Sequence, residues 1–389
     1  MMHAIARKAK IFLALLLHPH SLKQILAGQL YEAKEEYYAH HDFLTTEAFY
    51  YSIRRRLEAR YRMRLGVGMA NLSHPTLYSE KIQWRKLYCP QVKLIAKVTD
   101  KAGVYGYVCE KIGDTHLLPL VWKGSTFDAD TLRALGDNIV LQPTHRSGQV
   151  AFIEKAEYID YEALAHLLHR MLLWPYSMRG QEPWYGRIKA QIIARPLIRN
   201  SDGSAFLNDY KFHMFRQADG TRKVVCAITN IYPRWRILVD ENFTSLPFEW
   251  NPTVYEHLKE APDKPDNFDA MLEDACRLSE DFDCVRVDFM MGADEYYFTE
   301  LTFAPASGLA FFSPPEYDKI VGSYWHLDTG NPLKRAFWFC RAWLPLWKTE
   351  RPMRNLRRLY RYRNDWAITG IRQKDYDRRY QEGGEFFDG

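Results

Sequence analysis

The sequence predicts an α+β fold, because helix-forming and strand-forming stretches follow one another along most of the chain. Composition and apolar periodicity indicate helices at 79–113, 161–173 and 268–280. Short apolar or alternating stretches typical of strands lie at 117–122, 138–142, 149–154, 188–198 and 209–215. Two further strands, folded back on a turn, span 286–302. This mixture excludes an all-helical or an all-strand protein.

The two ends of the chain are predicted to be helical extensions. Residues 21–65 contain one glycine and no proline and are rich in helix formers, so 1–65 is assigned to an N-terminal helical extension. Residues 331–389 are predicted to form a basic, Trp/Arg-rich helical tail. The tryptophans of this tail either pack inward or lie with the arginines on a membrane surface.

Length and composition are those of a globular protein with two or three subdomains. Of the 389 residues, 47% are hydrophobic, and the 53 basic residues exceed the 48 acidic ones by five. This charge favours anionic ligands but is far below that of a dedicated nucleic-acid binder, so no nucleic-acid partner is expected. The six cysteines form no C-x-x-C pair, which is typical of reduced core thiols.

The apolar run near the N-terminus, at 11–17, is too short to cross a bilayer. A histidine and a proline follow it in place of a small-residue cleavage site. We therefore expect a cytoplasmic protein. The basic tail is the segment through which it would associate with the inner face of the membrane.

The strongest functional signal is the pair of strands at 286–302. Side chains alternate between the two faces of a strand, so a symmetric hairpin places Asp288 opposite Glu300 and Arg286 opposite Thr302. Two carboxylates directly opposite destabilise a sheet unless a positive charge lies between them. A hard cation such as Mg²⁺, which prefers oxygen ligands, supplies that charge. The alternative is a solvent-facing hairpin in which Arg286 neutralises Asp288.

Two other segments carry polar residues at suggestive places. Residues 143–148 form a small, polar loop between two strands, which can present backbone N–H groups to a phosphate, although an ordinary hairpin turn has the same composition. In the strand at 209–215, Asp209, Lys211 and His213 lie on one face. A half-exposed strand of an antiparallel sheet gives the same pattern.

Eight short motifs, taken in order, resemble those of one family. They are Ser-Glu-Lys-Ile-Gln-Trp-Arg-Lys-Leu-Tyr at 79–88, Thr-Asp-Lys at 99–101, Glu-Lys-Ile-Gly at 110–113, His-Arg-Ser-Gly at 145–148, Asp-Tyr-Lys-Phe at 209–212, Arg-Val-Asp-Phe at 286–289, Glu-Leu-Thr-Phe at 300–303 and Ser-Pro-Pro-Glu-Tyr-Asp at 313–318. Their order resembles the ATP-grasp fold, and specifically its teichuronopeptide-biosynthesis (TupA-like) branch, over about residues 60–328.

The resemblance implies a nucleotide clamped between two α+β subdomains within residues 66–330, with a small lid subdomain at about 138–215. It implies Mg²⁺ held by Asp288, Glu300 and Thr302, with Arg286 on the reacting phosphate and Lys211 on phosphate or substrate. The residues that it implies for ATP binding are Lys101, Gln142, His145, Arg146, Ser147, Gly148 and Asp209, the last on the ribose.

The resemblance also implies an activity. Members ligate a carboxylate to an amine through an acyl phosphate, and this branch is associated with cell-surface polysaccharide synthesis in bacteria. The implied substrates are a polysaccharide or sugar precursor bearing a carboxylate, and an amino acid or other amine.

Three departures from the family pattern fall on the nucleotide contacts. Gln142 stands where the family has a phosphate-binding lysine, and Arg146 adds bulk to a loop that is usually glycine-rich. The acidic residue that receives the adenine amino group is replaced near Ala194 and Arg195. These departures leave three alternatives: ATP bound in an altered way, a transferase using a nucleotide sugar or another phosphorylated donor, or a non-catalytic member of the family.

Overall fold

The computed structural model describes residues 70–349, apart from 173–175, 202, 205–206, 232–233 and 252–254, and a few positions between 53 and 68. The chain forms two compact units, Met1–Asn71 and Leu72–Gly389. In the first unit, the described positions 53–54, 57–58, 60–62 and 65 are helical. The rest of the predicted N-terminal extension, and residues 350–389 of the predicted tail, lie outside the described residues.

The predicted helical stretch at 79–113 is three helices: α1 (Tyr78–Tyr88), α2 (Val92–Thr99) and α3 (Tyr105–Ile112). Helix α1 begins where the Glu80 carboxylate accepts the backbone N–H groups of Thr76 and Leu77, at 3.0 and 3.1 Å. These bonds satisfy donors that a helix N-terminus leaves free. The second unit therefore opens with a well-defined helix.

The first sheet has four antiparallel strands in the order β1-β4-β2-β3. The strands are β1 (Trp122–Gly124), β2 (Ile139–Pro143), β3 (Ala151–Ile153) and β4 (Ile192–Pro196). Helices α4 (Ala129–Arg133) and α5 (Tyr161–Leu172) share a core with this sheet, and Leu132, Leu141, Ile153, Leu168 and Ile192 are fully buried in it. A short helix α6 (Tyr176–Gly180) follows.

Two predicted strands differ from the structure. The prediction of a strand at 117–122 is wrong, because Leu117 forms only an isolated bridge to Phe298 and β1 begins at Trp122. Pro119 interrupts the segment because it has no N–H to donate to a ladder. The strand at 188–198 is shorter than predicted, because only 192–196 pairs with β1 and β2.

The second sheet has six strands in the order β11-β10-β5-β6-β7-β9, and all pairs are antiparallel except β7–β9. The strands are β5 (Asp209–Arg216), β6 (Arg222–Ile231), β7 (Arg234–Val239), β9 (Glu256–His257), β10 (Cys284–Met291) and β11 (Tyr296–Thr302). A separate pair joins β8 (Glu249–Trp250) to β12 (Phe312–Ser313).

Helix α7 (Phe268–Ser279) covers one face of this sheet. Phe212 of β5 meets Phe268 with ring centroids 5.5 Å apart and Phe289 of β10 at 6.1 Å. Asn267 is the N-cap residue of α7, but its side chain makes no cap bond; its amide donates to the Asp294 carbonyl at 3.3 Å. With α7 on the apolar face, the polar residues of the sheet are collected on the other.

The chain continues through α8 (Tyr317–Tyr324) to α9 (Pro332–Thr349), the part of the predicted tail that the structure describes. Trp343 of α9 is fully buried and donates its indole N–H to the Leu87 carbonyl at 2.9 Å, so this tryptophan packs inward. Within the described part of the chain, no helix is both long enough and apolar enough to cross a membrane. All six cysteines are free thiols, but Cys109 is exposed and is not the core thiol that was predicted.

Candidate active site

The hairpin of β10 and β11 has the predicted register. Arg286 lies opposite Thr302, and Asp288 lies opposite Glu300. The register shifts just after Asp288, where Thr299 is the extra residue and donates its hydroxyl to the Asp288 carbonyl at 3.0 Å. The two carboxylates are therefore neighbours across the strand pair, on one face of the sheet.

Strand β5 adds its polar face to the same side. Lys211 pairs with Asp288, and His213 pairs with Arg286, in the β5–β10 register. Asp209 lies next to Met290 and accepts a bond from Lys211 at 2.5 Å. The alternation predicted for 209–215 thus places three polar side chains of β5 beside the hairpin.

Arg286 lies between the two carboxylates. Its Nε and Nη2 donate to the two oxygens of Asp288 at 2.6 and 2.5 Å, and Nη2 also reaches Oε1 of Glu300 at 3.0 Å and the Thr302 hydroxyl at 3.1 Å. The Thr302 hydroxyl donates to Glu300 Oε1 at 2.9 Å. A bidentate guanidinium pair is among the strongest charge-assisted contacts. The alternative in which Arg286 neutralises Asp288 is therefore present in the structure, and the same guanidinium also holds Glu300.

The negative charge of Asp288 is only partly compensated. Burial raises the pKa of Asp288 to about 6; Arg286 opposes this shift, and the neighbouring Glu300 adds to it. The pKa of Glu300 is lowered, because Lys101 and Arg286 together outweigh its burial. One guanidinium is thus shared by the buried carboxylate of Asp288 and the half-buried carboxylate of Glu300.

The donor set fits Mg²⁺. Asp288, Glu300 and Thr302 offer only oxygen atoms, and Mg²⁺ typically takes one or two carboxylates and leaves its other positions to water and phosphate. Among the residues that the structure describes, no group of three or more His, Cys, Asp or Glu side chains could hold a metal. The chemistry of these donors therefore suits a magnesium–phosphate complex better than an all-protein metal cage.

Lys101 connects the hairpin to the loop that follows β2. Its Nζ donates to the Arg146 carbonyl at 2.8 Å and lies 3.9 Å from Oε2 of Glu300. Burial lowers the pKa of Lys101, and Arg195 and Arg146 lower it further, although Glu300 raises it. Two arginines thus lie close enough to Lys101 to act on its charge, and the only carboxylate it pairs with in the described chain is Glu300.

The loop itself differs from a simple phosphate cradle. Thr144 is fixed by its N–H bond to the Gln191 carbonyl at 2.9 Å and by its hydroxyl bond to the Lys189 carbonyl at 2.8 Å. Arg146 is 6% exposed, with its guanidinium 6.0 Å from the Tyr176 ring centroid, and His145 is also buried. Ser147 and Gly148 form the more exposed end of the loop, and neither has a described hydrogen bond to the hairpin.

The sequence did not identify Arg195 as a site residue. Arg195 is 8% exposed, and its guanidinium donates to the side-chain carbonyl of Gln142 on the neighbouring strand. By the resemblance described above, Gln142 stands in place of a lysine, and the replaced acidic residue is near Ala194 and Arg195. A cation missing from β2 is thus present on β4. The sequence did contain one indication of this contact: the lysine and the acidic residue of the family pattern are both replaced in this chain.

The sequence also did not identify a group of cations around Tyr255, which lies toward the β7–β9 edge of the six-stranded sheet. The Arg236 guanidinium of β7 lies 3.8 Å from the Tyr255 ring centroid, and that of Arg234 lies 4.9 Å from it. Burial raises the pKa of Tyr255, but the cations Arg236, Lys211 and Arg234 outweigh it and lower the pKa overall. Local positive charge is therefore in excess around this ring.

His213 lies between Arg286 of the hairpin and Arg236 of β7, and its imidazole is held neutral. It is 5% exposed, with its ring centroid 4.3 Å from that of Trp250. Burial lowers its pKa well below 6.5, and Arg286, Arg236 and Lys211 lower it further. The folded protein therefore binds no proton at His213 near neutral pH.

His213 is expected to make the protein less stable in mild acid. Below its ordinary pKa of 6.5, the unfolded chain binds a proton that the folded chain does not, so stability falls as pH falls. The slope approaches about 1.4 kcal/mol per pH unit. Urea unfolding at pH 7, 6 and 5 should therefore show a shallower loss in His213→Gln than in wild type. His166→Gln, at an exposed position, is the matched control, and equal slopes for all three proteins would contradict the assignment.

A cavity of about 470 Å³ lies at the tip of the hairpin. Tyr297 pairs with Met290, which places both on the face of the sheet that carries Asp288. The remaining walls come from the segment after β4, the hairpin turn and the segment before β1. The lining residues are Leu118, Pro196, Leu197, Ile198, Arg199, Gly292, Ala293, Asp294, Glu295 and Tyr297. Its lining combines apolar side chains with the charged residues Arg199, Asp294 and Glu295.

The fold is that of an ATP-grasp protein: a small antiparallel sheet and a larger sheet with a carboxylate hairpin at one edge. The sequence profile of the TupA-like ATP-grasp family matches residues 80–326, more than half of the chain. The chain belongs to the TupA-like ATP-grasp family, and the predicted α+β ATP-grasp fold is confirmed.

Solved structures resemble the chain distantly. Pyruvate carboxylase T882A from Rhizobium etli, solved with acetyl coenzyme A, is 12% identical, with a TM-score of 0.32 over 54% of this chain and 16% of that one. D-alanine–D-alanine ligase from Helicobacter pylori is 12% identical, with a TM-score of 0.32 over 59% and 60% of the two chains. The Bacillus anthracis ligase is 13% identical, with a TM-score of 0.31 over 65% and 69%. No curated protein matches the chain.

Proposed function

We propose that this protein is a Mg²⁺-dependent, ATP-dependent ligase that joins an amino acid or other amine to a carboxylate of a cell-surface polysaccharide or its precursor. Family membership supports the use of ATP. The observation that carries the proposal is the hairpin, in which Asp288 and Glu300 lie side by side around the Arg286 guanidinium. This arrangement can hold a cation next to a fixed positive charge.

The proposed reaction has two steps. A carboxylate oxygen of the sugar attacks the γ-phosphorus of ATP, the bond to the β–γ bridging oxygen breaks, and ADP leaves. The amine nitrogen then attacks the acyl carbon of the acyl phosphate. The bond from that carbon to the phosphate oxygen breaks, and amide, inorganic phosphate and one proton are released. The first step is needed because a free carboxylate is a poor electrophile.

The side chains of this face have matching roles in the proposal. Asp288, Glu300 and Thr302 would hold Mg²⁺, which offsets phosphate charge when bound. Arg286 would hold the transferring phosphoryl group and then the acyl phosphate, because its positive charge is fixed where negative charge develops. Lys211 would contact phosphate or substrate. Asp209, its partner at 2.5 Å, would receive the ribose hydroxyls.

The nucleotide is proposed to lie between the hairpin and the loop at 143–148, called the lid loop, with its base in the cavity at the hairpin tip. The 470 Å³ volume is large enough for one aromatic base and its sugar, and Tyr297 offers a ring beside it. Lys101 and Arg195 would contact the phosphates. The direct test supplies purified protein with ATP, Mg²⁺, glucuronic acid and a panel of amino acids. Release of ADP that depends on both acceptors supports the proposal, and no release with any acceptor overturns it.

Arg195 is expected to replace the family lysine. Arg195→Gln removes the cation beside Gln142 and should raise the KM for ATP about tenfold, the usual size of a lost charge-assisted bond. Adding Gln142→Lys should restore much of that loss, because the cation returns to β2. Arg133→Gln, at an exposed arginine of α4, is the control. An unchanged KM in Arg195→Gln would show that Arg195 does not contact the nucleotide.

A transferase that uses a nucleotide sugar is the second candidate, and the Gln142–Arg195 pair favours it because the usual ATP contacts are altered. Thermal unfolding distinguishes the two, since a ligand that binds only the native state raises stability as ln(1 + [L]/Kd). A response to ATP with Mg²⁺ supports the ligase, and a response to nucleotide sugars alone supports the transferase. Membrane association through the tail stays a prediction, since residues 350–389 lie outside the described residues.

A further inference from the structure

Arg236 is a half-buried cation of β7 that has no carboxylate partner among the described residues. Its Nη1 donates to the Trp250 carbonyl at 2.7 Å, and its guanidinium lies over the Tyr255 ring, but its Nε is buried and has no hydrogen-bond partner in the described part of the chain. In the described chain, no Asp or Glu oxygen lies within 4.0 Å of this guanidinium. Buried charges are normally paired, because leaving water costs several kcal/mol. Arg236 is therefore a site where an anion would be stabilised.

His257 supplies a second polar atom at the same place. Arg236 and His257 are partners in the parallel β7–β9 pairing. The Nε2 atom of His257 is buried and, within the described residues, has no hydrogen-bond partner. Two neighbouring side chains thus each carry a buried nitrogen without a partner, and an imidazole nitrogen can donate to an oxyanion.

The position of Arg236 separates it from the carboxylate hairpin. Arg236 is in register with Thr229 of β6, which pairs with Asp209 of β5, which pairs with Met290 of β10. Three strand spacings separate β7 from the hairpin, about 14 Å. The lid loop is linked to Glu300 through Lys101, which bonds the Arg146 carbonyl and lies beside Glu300 at the β11 edge of the sheet. An anion at Arg236 therefore lies on the opposite side of the catalytic carboxylates from the lid loop.

We propose that Arg236 and His257 bind a phosphate group of the acceptor, whose carboxylate is activated at the hairpin. This inference rests on the proposed function, and it assigns the acceptor to phosphorylated sugars, with the carboxylate and the phosphate at opposite ends of the molecule. Arg234, on the other side of the Tyr255 ring, adds positive charge to the phosphate site. A charge-assisted bond to phosphate is among the strongest polar contacts a protein makes.

Calorimetric titration tests the assignment on the full chain, with Mg²⁺ and a nonhydrolysable ATP analogue present at saturation so that the nucleotide's phosphate sites are filled. The probes are glucuronic acid 1-phosphate, glucuronic acid and inorganic phosphate. Wild type should bind the first more tightly than the second. Arg236→Gln should weaken the first at least about tenfold and leave glucuronic acid within about twofold, with Arg236→Lys in between. Arg133→Gln is the charge-matched control and should change neither.

Several outcomes overturn the assignment. Equal weakening of both sugars in Arg236→Gln would show a structural role, and no weakening would show that the phosphate is bound elsewhere. Inorganic phosphate that binds wild type as tightly as the sugar phosphate would assign the site to free phosphate. Thermal unfolding of each variant guards against misfolding, and if Arg236→Gln unfolds, Arg236→Lys provides the comparison. If the ATP analogue itself does not bind, the proposed function fails, and that result is separate from the behaviour of Arg236.

Discussion

Asp288→Asn is expected to lower ADP release about 10²- to 10³-fold or more, while the protein stays folded. The substitution keeps the shape of the side chain and removes the charge that a magnesium–phosphate complex needs. The fold should tolerate it, because burial already raises the pKa of Asp288 to about 6 and its ionised form is only partly compensated. The effect should therefore fall on chemistry.

The measurement is initial ADP release at saturating ATP over a range of Mg²⁺ concentrations, together with thermal unfolding of both proteins. Asp263→Asn, at an exposed carboxylate in the segment before α7, is the matched control and should keep wild-type turnover. Turnover in Asp288→Asn equal to that of Asp263→Asn would remove the hairpin from the mechanism. A large loss of unfolding temperature in Asp288→Asn would show a structural carboxylate instead.

Arg286→Gln is expected to be the most destabilising single change at the site. It leaves Asp288 and Glu300 opposite each other without the guanidinium that bonds both. Removing one partner of a buried ion pair typically costs about 3–5 kcal/mol of the free energy of unfolding. Urea unfolding at pH 8 measures this loss, and Arg277→Gln, at an exposed helix pair with Glu273, should cost less than about 1 kcal/mol.

Two further measurements show that charge is the cause of this loss. Millimolar Mg²⁺ should restore part of the stability of Arg286→Gln, because another cation then lies between the carboxylates. The triple variant with Asp288→Asn and Glu300→Gln should be more stable than Arg286→Gln alone, since no uncompensated charge is left. If the triple variant is the least stable of the set, shape and packing account for the role of Arg286, and the electrostatic explanation fails.

Local pattern was enough for the hairpin and for the strand beside it. The alternation of 286–302 and of 209–215 predicts which side chains share a face, and the observed pair Asp288–Glu300 follows from it. The pairing of Lys211 with Asp288 joins two distant strands and came from the structure. The sequence pattern was insufficient where a single residue prevents a segment from pairing with a neighbouring strand. Pro119 excludes the predicted strand at 117–122, because it has no N–H to donate to a neighbouring strand.

The lid loop shows a different kind of limit. The composition of 143–148 correctly indicates a loop between two strands, but not that Arg146 is buried or that its carbonyl accepts the bond from Lys101. Those contacts join segments 45 residues apart. Contacts between residues so far apart in sequence depend on how helices and strands pack together. A short stretch of sequence does not contain that information.

The sequence by itself determined the family, strands β2–β5, β10 and β11, and the opposed carboxylates, because a side-chain period of two and a short turn are local properties; it did not predict β6 and β7. Only the tertiary structure decided how charge is shared. It placed Arg286 on both carboxylates, Arg195 on Gln142, and Arg236 away from any carboxylate of the described chain. The physical reason is that the pairing of a long, charged side chain depends on which strands and loops surround it, and burial makes that pairing energetically decisive.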